Sequence, residues 1–258
     1  IFNNVDINPY LEQLKNADLA LLAATGYEFI DMKKAGELGL KLAHLPDYST
    51  DAVIEYLLWA ALSGLRPLGL AGRQARAGKW EKADLCGREM RGLTAGIIGY
   101  GRIGSRLADT LHTLQMKIKV TALKPRPELA DRLLPLSELM RVSDVIFVCC
   151  SCNPMSAKLL DADAQKVMKD DVVFVSISAN PVIDLEALAG ELKARSQARA
   201  VLDLDPLPAG HPLLACDNVT ITPHVAFFTS RSLQRRVDMC IDSIEAYLSG
   251  GEVHYIKE

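Results

Sequence analysis

The chain has 258 residues, 29 Lys+Arg against 32 Asp+Glu, a net charge of −3 and 49% hydrophobic residues. That length suits one large or two small domains, and the charge gives no broad basic field for nucleic acid or an anionic membrane surface. No apolar run reaches transmembrane length, the N-terminal Ile1-Phe2-Asn3-Asn4 has no signal-peptide pattern, and the clustered Cys149, Cys150 and Cys152 end an apolar strand with no histidine in ligand spacing; a cytoplasmic protein with buried thiols, no membrane span and no metal site is the expectation.

Residues 14–23 contain Leu-Ala-Leu-Leu-Ala-Ala and read as a buried strand ahead of the turn Thr25-Gly26. Residues 31–38 read as a short helix ending at Gly39, and 40–45 as a second strand. The loop 46–51 offers Ser49, Thr50 or Asp51 as caps for a long apolar helix over 52–65, which Arg66-Pro67 ends. Residues 69–92 are mixed, polar and glycine-bearing, with Trp80 as the large anchor. That composition suits a crossover between two domains.

A short apolar run, Ala95 to Ile98, follows and reads as a buried parallel strand. Gly99-x-Gly101-x-x-Gly104 comes at once, then Ile103, Leu107, Ala108, Leu111 and Leu114 at helical spacing. Strand, glycine turn and helix are the context a dinucleotide-binding fingerprint requires. Gly99 permits the tight turn, Gly101 lets a pyrophosphate approach the backbone, and Gly104 lets helix pack on strand. The helix N-terminus, at Arg102 and Ile103, offers N–H groups and partial positive charge to phosphate.

Beyond the fingerprint, strands are predicted over 118–123, 144–150, 172–177, 198–204 and 219–222. Helices fall over 136–140, 161–168 and 185–194, and a last amphipathic helix over 230–248 packs back on the N-terminal domain. Strands alternating with helices imply an α/β fold with a doubly wound parallel (Rossmann) sheet. About twenty residues after Gly104, where an acid ordinarily accepts from the adenosine ribose, stands Lys124, with Arg126 close behind. These cations suit a 2′-phosphate, so NADP(H) is favoured over NAD(H).

In combination the motifs resemble the D-isomer-specific 2-hydroxyacid dehydrogenases, the group of glycerate and phosphoglycerate dehydrogenases and glyoxylate/hydroxypyruvate reductases. The segments that carry the likeness are 23–31, 48–55, 96–104, Met168-Lys169, Val182-Ile183-Asp184, His211-Pro212-Leu213 and Thr222-Pro223-His224-Val225-Ala226. The resemblance implies a dinucleotide-binding domain over 67–228. It also implies a smaller, flavodoxin-like substrate domain from 1–66 and 229–258. The family has a further βαβ unit ahead of the point where this sequence begins, so either the substrate domain is reduced or the sequence is a fragment. A homodimer paired through the nucleotide domain is implied as well.

The resemblance also assigns roles. His224 is the acid/base, and Asp205 stands in for the family's Glu partner on a shortened loop. Asp203 accepts from the nicotinamide amide, Cys150 lines the nicotinamide ribose, and Ile177 and Ser178 border the cofactor. Thr25 and Gly26 donate backbone N–H bonds to a small-molecule substrate. The family's carboxylate-binding Arg falls on Ala179, and Arg231, Arg235 and Arg236 on the last helix are possible substitutes. Hydride reaching a carbonyl carbon builds an oxyanion, which needs a proton donor of near-neutral pKa such as histidine. Two functions are therefore expected in competition: a reductase with an altered substrate, or a non-catalytic nucleotide-binding dimer.

Overall fold

The structure is a computed structural model that describes residues 1–2, 6–27, 30–123 and 126–256. Its internal contacts divide the chain into residues 1–52 with 227–258, and residues 53–226.

In the smaller unit, residues Asn8–Asn16 wind as a 3-10 helix. Strand β1 (Ala20–Leu22), helix α1 (Met32–Glu37) and strand β2 (Leu42–His44) follow. The strand expected over 14–23 thus keeps only its last part. Pro9 suits a first helical turn, where its missing N–H is not needed, and Leu11 is buried while Glu12, Gln13 and Lys15 are exposed. Asp31 caps α1 by accepting from Lys34 N–H at 3.0 Å. β1 and β2 pair in parallel, Ala20 opposite Leu42. Side chains alternate across this pair. Ala20, Leu22 and Leu42 face a core with Ile7, Leu11, Ile30 and Ala35. Leu21 and Ala43 face another, with Leu45, Tyr48 and Cys240.

Helix α2 (Thr50–Leu65) has its first turn in the smaller unit and the rest in the larger. The expected boundary at 66/67 lies at its far end. Helix α3 (Leu68–Arg76) occupies part of the stretch read as irregular. Gly69 and Gly72 mask its sequence signal, because glycine is a poor helix former, and none of its residues is buried.

The parallel core is built from β3 (Thr94–Ile98), α4 (Arg102–Thr113), β4 (Lys117–Thr121), α5 (Leu136–Val142), β5 (Val145–Val148), α6 (Ala162–Lys166), β6 (Val173–Ser176), α7 (Leu185–Ala194), β7 (Arg199–Asp203) and β8 (Val219–Thr222). The six strands run in the order β4-β3-β5-β6-β7-β8, all parallel. Every residue of β5 and β6 is buried, as expected of strands covered on both faces. Leu107, Ala108 and Leu111 of α4 are buried, whereas Leu114, read as part of that face, lies past the helix end and is exposed. From β3 the chain goes to β4 on one side and later to β5 on the other. That reversal is the switch point at which open α/β sheets bind ligands.

Helix α8 (Ser230–Leu248) completes the smaller unit. Thr229 and Ser232 form a reciprocal capping box at its start. The helix packs Cys240 against Leu21 and Ala43, and Tyr247 Oη donates to Asp18 O at 3.2 Å. Among the described residues no single helix is long and apolar enough to cross a membrane.

Candidate active site

The glycine turn sits at the C-terminal end of β3. Gly99 has φ +96°, and a Cβ there would lie 2.7 Å from the backbone N and Cα of Cys150. A Cβ on Gly104 would lie 2.0 Å from Gly99 O. Both glycines are therefore required by the fold itself. Gly101 is different. Its φ of −87° suits any residue, and a Cβ there would meet nothing within 4 Å. The protein's own packing gives no reason for a glycine at 101, whereas a ligand lying against the backbone does. Gly101 is the residue before α4 and supplies no side-chain cap, so Arg102 and Ile103 open the helix at a terminus suited to phosphate. These residues fit a dinucleotide.

Arg126 reaches this turn. Its Nη2 donates to Tyr100 O at 3.2 Å, and its Nη1 lies 3.5 Å from Glu128 Oε1. Lys124 lies outside the described residues. Below the turn, Ser178 Oγ donates to Cys150 O at 2.7 Å, and Ile177 N–H donates to Val148 O at 3.2 Å. These bonds tie the C-terminal ends of β5 and β6 together. Burial pushes the Cys150 thiol above its ordinary pKa, against hydrogen bonding from Ser178. It remains a neutral thiol at neutral pH.

The histidine turn lies further along the same sheet end. Asp203 closes β7 and Thr222 closes β8, and the two are register partners. His224 follows with φ 53°, a left-handed backbone rare outside glycine. Its Nδ1 lies 2.8 Å from Asp205 Oδ1. Because a carboxylate accepts, Nδ1 carries the proton and donates it. Both side chains are open to solvent, 57% and 49% exposed. Asp205 is braced in turn by Asn180: its N–H donates to Asn180 Oδ1 at 3.2 Å, and Asn180 Nδ2 donates to Asp205 O at 3.3 Å.

Asp203 is buried, 5% exposed. Its carboxylate accepts from Thr222 Oγ1 at 2.5 Å and from the N–H groups of Val225 and Ala226 at 2.8 Å each. Thr222 Oγ1 also pairs with Tyr56 Oη at 2.7 Å. Sequence reading missed Asn180, Thr222 and Tyr56 as parts of this site. Ala179 stands exposed just before the 3-10 turn Asn180–Val182.

In the smaller unit, Thr25 Oγ1 donates to Leu45 O at 3.0 Å, and Thr25 O accepts from His44 Nδ1 at 2.9 Å. These bonds fix the Thr25-Gly26 turn. Arg235 Nε donates to Tyr48 O at 2.9 Å, and its Nη1 pairs with Asp51 at 3.0 Å. The Arg236 guanidinium lies 5.8 Å over the Tyr48 ring and 6.0 Å from that of Phe227. Arg231 is exposed.

Residues 58–226 match the family model described as D-isomer specific 2-hydroxyacid dehydrogenase, NAD binding domain. The chain is 30% identical to a hydroxypyruvate reductase of Blautia hydrogenotrophica, covering 96% of this chain and 80% of that protein. It is 31% identical to a glyoxylate reductase of Thermofilum pendens, over 88% of this chain and 70% of the relative. Among solved structures, an acyclic imino acid reductase in complex with NADPH and D-Arg superposes with a TM-score of 0.91 at 24% identity. That match covers 99% of this chain and 84% of the other, and it shows a shared fold.

Proposed function

The chain belongs to the D-isomer specific 2-hydroxyacid dehydrogenases, oxidoreductases acting on CH–OH groups, and on that premise we propose that it is an NADP(H)-dependent reductase of a small carbonyl compound, with His224 as proton donor. The observation that carries this reading is the 2.8 Å pairing of His224 Nδ1 with Asp205. With Nδ1–H given to Asp205, the transferable proton of the imidazolium is on Nε2. Asp205 fixes the ring orientation, and Asn180 holds Asp205 from behind.

NADPH, when bound, supplies the hydride. Gly99, Gly101, Arg102, Ile103 and Gly104 would hold its pyrophosphate. Cys150, Ile177, Ser178 and Asp203 would border the nicotinamide half, and Lys124 and Arg126 the 2′-phosphate. Thr25 and Gly26 would take the substrate through backbone N–H groups. Ala179 offers neither a carboxylate clamp nor a polarising charge, and removing one such preorganised donor costs about 10²–10³ in rate. The substrate is therefore a carbonyl compound that does not depend on an arginine at position 179. The reading includes a homodimer in the cytoplasm. The exposed Trp59, Leu68 and Trp80 of the larger unit support pairing through that unit.

Ala179 also favours a second reading, a nucleotide-binding protein that turns nothing over. One experiment separates the two: NADPH oxidation against a panel of keto acids, aldehydes and imines, beside a binding titration of NADPH and NADH. Turnover of any panel compound supports the reductase. Tight binding with no turnover supports the second reading.

A further inference from the structure

Three hydrogen-bond donors converge on Asp203, and their order can be worked out. The Val225 and Ala226 N–H groups have no other polarity than donor. The Thr222 hydroxyl has one proton, and at 2.5 Å from a carboxylate oxygen that proton goes to Asp203. Thr222 Oγ1 must then accept from its other neighbour. The 2.7 Å bond to Tyr56 therefore has the phenol as donor. The chain runs from Tyr56 O–H to Thr222 Oγ1–H to the Asp203 carboxylate, each donor polarising the next. Burial, with a smaller push from the Asp203 charge, moves the Tyr56 phenol up to about 12 against the Thr222 bond. It keeps the proton it donates throughout the neutral range.

The downstream end of this chain grips the histidine turn. His224 has a left-handed backbone, which a residue with a Cβ adopts only when held. What holds it is its own N–H donating to Thr222 O at 3.0 Å and the next two N–H groups donating to Asp203. If the grip on Asp203 loosens, the turn relaxes toward ordinary backbone angles and carries the imidazole off Asp205. We propose that Tyr56 and Thr222, whose hydroxyls act on the histidine through Asp203, are positioning residues that fix the tautomer and orientation of His224. The inference rests on the proposed role of His224, and the test below does not depend on turnover.

The probe is the tautomer of His224 in the full chain, read from long-range proton–nitrogen correlations of 15N-histidine at a pH where the imidazole is neutral. His224→Gln assigns the signal. The unmodified chain should show mainly the Nδ1–H tautomer. Tyr56→Phe and Thr222→Val should shift it toward the Nε2–H form that an unconstrained imidazole prefers. Thr222→Ser, which keeps the hydroxyl, should restore the parent signal. In an active enzyme kcat should fall about two- to tenfold in Tyr56→Phe, the size of one neutral hydrogen bond, with KM and NADPH affinity unchanged. An unchanged tautomer in both Tyr56→Phe and Thr222→Val overturns the inference, as does a shifted tautomer in Thr222→Ser. If the tautomer responds as stated and no substrate is turned over, the positioning chain stands and the reductase reading fails alone.

Discussion

Gly101→Ala separates ligand from fold, because the protein leaves room for the added methyl. Nothing lies within 4 Å of a Cβ at 101, and φ −87°, ψ −157° is extended backbone open to alanine. Stiffening the unfolded chain at such a site stabilises by about 0.4–1 kcal/mol. Alanine is a poorer N-cap than glycine, an opposing effect of roughly 0.5–1 kcal/mol. The two nearly cancel, so Tm should move by no more than about 2–4 °C. A pyrophosphate against the turn would meet the methyl directly, and NADPH affinity should fall at least about tenfold, or 1.4 kcal/mol. Gly104→Ala is the contrast: its methyl would strike Gly99 O, and overpacking of that kind costs about 1–3 kcal/mol of stability. Thermal melting with and without NADPH, and a fluorescence titration, read both effects. A Gly101→Ala protein that binds NADPH as well as the parent would refute the cradle. One that melts far below the parent would make Gly101 structural.

The unmodified chain should bind NADPH at least about tenfold more tightly than NADH, since one charged hydrogen bond is worth roughly 1.5–3 kcal/mol; Lys124→Asp should erase the preference, and equal affinities in the parent would remove the basis for it. Glyoxylate and hydroxypyruvate should be reduced well below about 10 s⁻¹, the median of ordinary enzymes, because position 179 is alanine. Turnover at ordinary rates would show that another group replaces the arginine. The three cations on α8, Arg231, Arg235 and Arg236, would be the first to substitute by alanine. Asn180→Ala should lower kcat less than Asp205→Asn does, since it removes a brace and not the partner; equal losses would place Asn180 in contact with the reacting groups. Light scattering should give a dimer, and Trp80→Glu should shift it toward monomer if the larger unit forms the interface.

The parallel sheet was legible in the sequence because its strands are buried on both faces. Val145 to Val148 form a continuous apolar run between turns, and periodicity reads such runs well. The glycine turn was legible because its residues are consecutive. Helix α3 was not, since two glycines interrupt it and no apolar stripe marks a buried face. The 3-10 helix Asn8–Asn16 was hidden for a related reason: a single buried leucine, Leu11, is too little pattern to outweigh the apolar run beside it. At the candidate site, His224 and Asp205 could be named from the family resemblance. Tyr56 and Thr222 could not, because 166 residues separate the two ends of that hydrogen bond. The three bonds to Asp203 involve a strand end, a hydroxyl and two backbone amides, none of which leaves a spacing signature. Asn180 carries no spacing signature either, and the fold uses it to hold Asp205.

The most direct test of the account is the rate of NADPH oxidation by His224→Gln against the parent, on whichever panel carbonyl the parent reduces, with NADPH affinity measured on both proteins. Glutamine keeps a donor and much of the shape but has no transferable proton. Turnover should fall by about 10²–10⁴, while NADPH affinity stays within a few-fold. Undiminished turnover would contradict the account, because the proton would then come from another group. Loss of NADPH binding along with turnover would contradict it too, and would make His224 a structural residue of the turn.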